Sequence, residues 1–229
     1  MSISNHKKGS LRDKEIVGLI GQQKCMNAEQ LKLLVFPDVS SRMAYKVLAR
    51  LADPRRKPRL LYRDRYSSIE PYFYYLKRPG QIDHVLGVSW IYTWVCLTLK
   101  SYEKLHSFER EVKSKTLRTD AFMCVKNLWA NTLNFFFFEF HITESGNDFD
   151  KVSKYNNFYA NEEYKGAWWA PLAKRFPAVV VITTGDKSPI VERIKAENTH
   201  DLEFRVYTLD EIKEECSYGR SSRKSIRAI

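Results

Sequence analysis

The sequence contains no CxxC pair, no GxGxxG, GxxxxGK[ST] or GxSxG run, and no long apolar span. The three missing glycine-framed motifs remove the usual support for dinucleotide binding, P-loop phosphate binding and serine-hydrolase chemistry. The longest run free of histidine and charged residues, 85–99, has 15 residues. That is short of the roughly 20 needed to cross a bilayer, so a buried helix is expected there and no membrane partner. The four cysteines (25, 96, 124, 216) and five histidines (6, 84, 106, 141, 200) are scattered without metal-ligand spacing. This argues against a structural zinc site and for thiols in a reducing cytosol. The opening "MSISNHKKGSLRDKE" is polar and does not read as a secretory signal, so a cytoplasmic protein is expected.

What the chain does have is folded-protein composition, 44% hydrophobic and 14% aromatic, and a strongly uneven charge. The formal net charge is +11. Residues 1–80 hold 17 Lys and Arg against 7 Asp and Glu, whereas residues 81–216 hold 17 against 20. Residues 217–229, "SYGRSSRKSIRAI", add 4 basic residues and no acid. A basic first third on a near-neutral body suggests three parts: a polyanion-binding module over 1–80, a second domain over 81–216, and a basic tail over 217–229.

Within the first third, apolar residues at helical spacing (Ile16, Leu19, Ile20) predict a helix over 13–23. Asn27 is suited to cap "AEQLKLLVF", which Pro37 ends, and Ser40 to cap "SRMAYKVLARLAD" with the apolar stripe Met43, Val47, Leu48 and Leu51. Two strands, "RLLYRDRY" and "PYFYYLKR", follow a basic loop. Helix, helix, helix, hairpin is the order of a winged helix-turn-helix, whose third helix enters the major groove of duplex DNA. The exposed face of that helix offers Arg42, Tyr45, Lys46 and Arg50; Arg55, Arg56, Arg59, Arg63 and Arg65 are expected along the phosphates. The plainer alternatives are a solvated charged face and a protein-binding use of the same fold.

The remainder reads as a long helix, strands at 106–114, 119–126, 134–142, 178–185 and 203–209, and helices at 148–164 (continuing into "WWAPLAKRF"), from Ser188-Pro189, and at "DEIKEE". That alternation predicts a mixed sheet covered by helices, an α/β domain within an α+β chain. The strand "NFFFFEFHI" is aromatic enough to be packed on both faces, yet carries Glu139 and His141 two residues apart and so on one side. A lone buried charge is costly, so this pair needs partners, solvent or chemistry.

The runs "LARLAD…LLYR…YFYYLKRPG" and "LRTDAFM…FFFFEFHIT…FDKVSKYNNFY…FPAVVVITTG" resemble the replication-relaxation proteins of bacterial plasmids and other mobile genetic elements, over about residues 12–213. The resemblance implies a winged helix followed by a domain similar to the PD-(D/E)XK nuclease fold. In that fold an acid on one strand and an acidic-x-Lys pair on the next hold a divalent metal. The matching positions are Asp120 and Glu139-x-His141, with Glu109 a further acid. Asp120 and Glu139 are the expected ligands for Mg²⁺ or Mn²⁺ if the site is active. His141 stands where the lysine belongs, which leaves Lys151 or Lys154 to supply a displaced cation. The alternative is a satisfied polar pocket in which Glu139 pairs with His141 or Arg118.

The expectation is a duplex-DNA-binding accessory or regulatory protein of a plasmid, phage or integrative element, acting in replication or transcription control. It has a non-catalytic nuclease-like domain and needs no cofactor. One rival is a metal-dependent nuclease or nickase. The other is an antitoxin-like or host-antagonist module whose α/β half binds a protein. A homodimer stays open.

Overall fold

A computed structural model describes residues 5–55, 57–145 and 148–226, with the backbone alone at 5–8, 145 and 218–226. Two compact units divide the chain, essentially Met1–Thr93 and Trp94–Ser225. The division falls inside a helix rather than at residue 80, because the first part of that helix belongs to the first unit's packing. Ser89 Oγ donates to Cys25 O at 2.6 Å, Gln30 Nε2 donates to Leu86 O at 3.0 Å, and Ile82 and Val85 pack with Cys25 and Phe73.

The first unit runs α1 (Asn5–Gln23), β1 (Cys25–Asn27), α2 (Ala28–Val35), α3 (Ser41–Leu51), β2 (Tyr62–Asp64), β3 (Phe73–Tyr75) and the start of α4 (Ile82–Thr98). The strands form an antiparallel sheet in the order β1-β3-β2. Strand β1 was not expected, since three residues are too few to show a period. It forms because Lys24 takes a left-handed φ of 65° and turns the chain back from α1. Asn27 then closes a reciprocal cap with Gln30, each side chain meeting the other's backbone N–H at 2.8 Å. Ile16, Ile20, Leu31, Phe36, Ala44, Leu48, Leu51, Leu61 and Tyr74 make the core. Met43, expected in the apolar stripe of α3, is 51% exposed, and Ala44 takes its place one position on.

The second unit is built on β4 (Glu103–Lys113), β5 (Arg118–Asn127), β6 (Thr132–His141), β7 (Ala178–Thr183) and β8 (Phe204–Thr208), in that spatial order. The first three strands are antiparallel, and β6, β7 and β8 run parallel, joined through α5 (Lys151–Ala160) and α6 (Ser188–Glu197). The mixed α/β character expected from the sequence is present. The phenylalanine run is buried on both faces. Phe135 and Phe137 join Phe122, Phe158 and Trp169 on one side, while Phe138 and Phe140 are buried by strand alternation on the other.

Boundaries differ from expectation in both units, and α1 already begins at Asn5 rather than at 13. The helix expected over 148–164 spans only Lys151–Ala160. Glu162 takes a left-handed φ of 55°, and Glu163–Gly166 and Ala170–Leu172, the latter containing Pro171, are single 3-10 turns. Helix α6 begins at Ser188 as expected; its N-cap is Lys187, which makes no side-chain cap bond, and Asp186 just before it accepts the Ser188 N–H at 3.0 Å. The closing helix α7 (Leu209–Ile226) is much longer than "DEIKEE" and absorbs backbone 217–226 of the expected tail; residues 227–229 lie outside the described residues. The cysteines form no disulfide among the described residues, three being buried and Cys96 half-buried. No described helix is long and apolar enough to cross a membrane.

Candidate functional site

Two places gather the side chains singled out by the sequence. The first is a fork in the second sheet. The β5–β6 ladder ends at Ala121↔Phe138. Beyond it β5 stays with β4 (Thr119↔Val112), while β6 runs on with β7 (Glu139↔Val181, Phe140↔Ile182). The parted backbones are met by side chains. Thr119 Oγ1 donates to Phe138 O at 2.9 Å, and Phe140 N–H donates to Asp120 Oδ2 at 2.8 Å. One step past the last pair in this register, Asp120 and Glu139 stand opposite each other, and facing residues of an antiparallel pair share a side.

Glu139 is 2% exposed. Its Oε1 accepts from the Tyr155 hydroxyl at 2.7 Å, and its Oε2 lies 3.0 Å from Lys151 Nζ. Lys151 also donates to Arg118 O. Lys151 and Tyr155 are four apart on α5 and so share the face turned to the sheet. Burial pushes the Glu139 carboxyl up to about 7, with the Asp120 charge adding to the rise and Lys151 and Tyr155 partly offsetting it. Burial, followed by the Glu139 charge, pushes the Tyr155 phenol well above its usual range.

The expected cations are redistributed. His141 packs edge-on against Phe149 with ring centroids 5.9 Å apart. Burial pushes its imidazole down against the opposing pull of Asp148 and Glu144, and the cation that meets Glu139 is Lys151. Lys154 pairs with Asp150 at 2.5 Å on the solvent side and takes no part. Arg118 reaches Glu111 rather than Glu139, and Glu109 is exposed on β4 opposite Phe122. The groups brought together are therefore Asp120, Glu139 and Lys151, plus Tyr155, which sequence reasoning missed. Its signal was available: Tyr155 lies in step with Val152 and Phe158 on the apolar face of α5.

Both Glu139 oxygens are engaged and one Asp120 oxygen holds a backbone N–H. A divalent cation seeking free carboxylate oxygens would have to displace the ammonium of Lys151. Among the described residues no group of three or more His, Cys, Asp or Glu side chains stands at metal-binding spacing. As arranged, the fork is a closed acid–base network.

The second place is the surface of α3 and the β2–β3 hairpin. Arg42, Tyr45 and Lys46 are exposed along one helical face, and Arg42 and Lys46 form no ion pair among the described residues. Arg50 is drawn off that face, donating to both oxygens of Asp13 at 2.7 Å. Arg55 is held by Asp53, whose carboxyl the Arg55 guanidinium lowers to about 2. Arg56 lies outside the described residues. The remaining arginines lie on tyrosine rings: Arg59 over Tyr62 at 4.3 Å, and Arg63 and Arg65 over Tyr72 at 4.4 and 4.8 Å. Sequence reasoning missed these platforms, although arginines and tyrosines interleave in "LYRDRY" and "PYFYY" supplies further tyrosines on the next strand.

Comparison of the chain with family models, with curated proteins and with solved structures gives no match.

Proposed function

We propose that this protein binds duplex DNA through its first unit, used as a winged helix-turn-helix. The observation that carries the proposal is Arg42 and Lys46, which form no ion pair among the described residues, on the exposed face of α3 beside Tyr45, in a unit whose hairpin holds arginines over tyrosines. The helix–strand–helix–helix–hairpin order, with a β1-β3-β2 sheet, supports the same reading. A guanidinium already stacked on a ring loses less freedom when it meets a phosphate, which suits the hairpin to backbone contact. In this reading Arg42 and Lys46 contact base edges, and Arg59, Arg63 and Arg65 contact phosphates. Arg50 and Arg55, already neutralised by acids, contribute little. The resemblance to replication-relaxation proteins extends the proposal to an accessory or regulatory role in replication or transcription of a mobile element. The second unit is then a PD-(D/E)XK-like scaffold whose fork is held shut by Lys151.

The experiment is a mobility shift of the full chain on duplex DNA across a salt series. On the order of six phosphate contacts correspond to a roughly 10³-fold loss of affinity between 50 and 200 mM salt. The double substitution Arg42→Ala, Lys46→Ala should abolish preference for a selected site. Undiminished, equally selective binding by that variant would sink the proposal.

A second reading, metal-dependent cleavage, is favoured by one observation: an ammonium, Lys151, pairs with Glu139, whose carboxyl also feels the Asp120 charge, where the expected lysine was lacking. If the ion pair opens, Asp120 and Glu139 would hold Mg²⁺ or Mn²⁺ and Lys151 would remain near the attacked phosphate. Plasmid nicking that requires either ion and disappears in Glu139→Gln would establish this reading. Intact plasmid at all ion concentrations would leave the closed scaffold.

A further inference from the structure

At the β5–β6 turn, far along the sheet from the fork, the chain displays an aromatic side chain that its own packing does not explain. Trp129 is 80% exposed and its neighbour Leu128 51%. The turn is held firmly. Asn127 Oδ1 accepts from the N–H groups of both Trp129 (3.0 Å) and Ala130 (2.9 Å), and Leu128 N–H donates to Tyr102 O at 2.7 Å. Trp129 stacks on Tyr102 with centroids 4.4 Å apart and planes 26° from parallel. One indole face is thus backed by a second ring, while most of the side chain stays in water. Hydrophobic burial gives no reason for such exposure.

The surroundings are cationic. The Lys100 ammonium lies 5.6 Å from the centre of the Tyr102 ring. Lys104 and Lys126 are directly opposite each other on β4 and β5, two like charges side by side. Such a pair is unfavourable unless an anion comes between them. The acid of this corner, Glu103, accepts the Lys100 backbone N–H at 2.9 Å. A rigid, two-ring platform beside three lysines has the chemistry of a single-strand site: bases stack on the indole and phosphates lie against the ammonium groups. Paired bases offer no free face, so a duplex interior does not fit.

We propose that Trp129 and Tyr102, with Lys100, Lys104 and Lys126, form a binding site for single-stranded DNA on the second unit. The choice of DNA over RNA rests on the duplex-DNA reading above; the stacking site itself does not.

The test uses the full chain and a labelled oligothymidylate of about ten nucleotides, a length within single-strand site sizes. Wild-type protein should bind it, and Trp129→Ala should weaken binding on the order of tenfold, with Trp129→Phe keeping most of the affinity. Replacing Lys104 and Lys126 by Gln should flatten the salt dependence by about 1.4 in log–log slope, the value for two phosphates on a single strand. Trp129→Ala should leave duplex binding and thermal unfolding unchanged. No oligothymidylate binding, or equal binding by wild type and Trp129→Ala, overturns the site. An oligouridylate bound more than tenfold tighter overturns DNA as its ligand. A Trp129→Ala change confined to self-association, read by sedimentation, would show an interface between copies instead. The Arg42→Ala, Lys46→Ala variant separates the two proposals: it should lose duplex binding and keep oligothymidylate binding.

Discussion

Arg50 in the first unit and Lys151 in the second each meet a carboxylate, at 2.7 Å and 3.0 Å. Geometry alone would rank them together, but their surroundings do not. The Arg50 side chain is 52% exposed and its partner Asp13 13%, so water screens the attraction and such a pair contributes about 0–1 kcal/mol. Lys151 is 23% exposed and Glu139 3%, so each charge depends on the other for what water no longer provides. The first unit leaves Arg42 and Lys46 exposed and Arg59, Arg63 and Arg65 stacked on tyrosines, while Arg50 and Arg55 are met by acids at the surface. The second turns an acid inward and satisfies it with the chain's own groups. One arrangement favours binding, the other cohesion.

The sharpest way to break this contrast is to remove the two cations. Lys151→Ala should lower unfolding stability by about 3–5 kcal/mol at pH 8, the usual loss when one member of a buried pair goes, and by much less at pH 5, where Glu139 is protonated. Arg50→Ala should shift stability by under about 1 kcal/mol at either pH. Equal losses in chemical denaturation would erase the distinction.

Next in size is the pH dependence of Glu139. Its carboxyl is raised from 4.5 to about 7 in the folded protein. Between those values the unfolded chain has released the proton and the folded chain still holds it. Stability therefore falls as pH rises through this window and levels off above 7. The shift corresponds to about 3 kcal/mol. Glu139→Gln should abolish the trend, so its stability relative to wild type should improve by about that amount from pH 4.5 to above 7. Parallel pH curves for the two proteins would contradict the burial argument.

Smaller effects test the outward charges. Arg63→Ala should weaken duplex binding on all sequences alike, while Arg42→Ala should cost about 1–3 kcal/mol on a selected site and relax its preference. Arg55→Ala, whose charge Asp53 already meets, should stay near wild type in the same assay. Smallest is the cap on α2: Asn27→Ala should lower stability by about 1 kcal/mol in thermal or denaturant unfolding.

Much of the fork is legible in the sequence. Alternation along 134–142 put Glu139 on a strand buried on both faces, while Asp120 beside it was implied only by the resemblance to a nuclease-like domain. The cation was not legible. Lys151 and Lys154 are both within a turn of the right place, and only the packing of Val152, Tyr155 and Phe158 fixes which one turns inward. His141 was equally opaque, because its proton affinity depends on burial against Phe149, eight residues further along the chain. In the first unit the arginine-rich segments were plain, but the removal of Arg50 by Asp13 joins residues 37 apart and leaves no local trace.

By itself the sequence determined the order of helices and strands apart from β1, the caps at Asn27 and Ser40, the two-faced burial of the phenylalanine run and the basic bias of the first third. Each of these is written in residues within a turn or a strand of one another, where propensity, periodicity and capping act. Tertiary structure alone decided that the β5–β6 ladder opens at Ala121↔Phe138, that Lys151 rather than His141 or Lys154 faces Glu139, and which arginines stay available. Those outcomes depend on helix phase and strand divergence, which are set by packing between segments far apart in the chain.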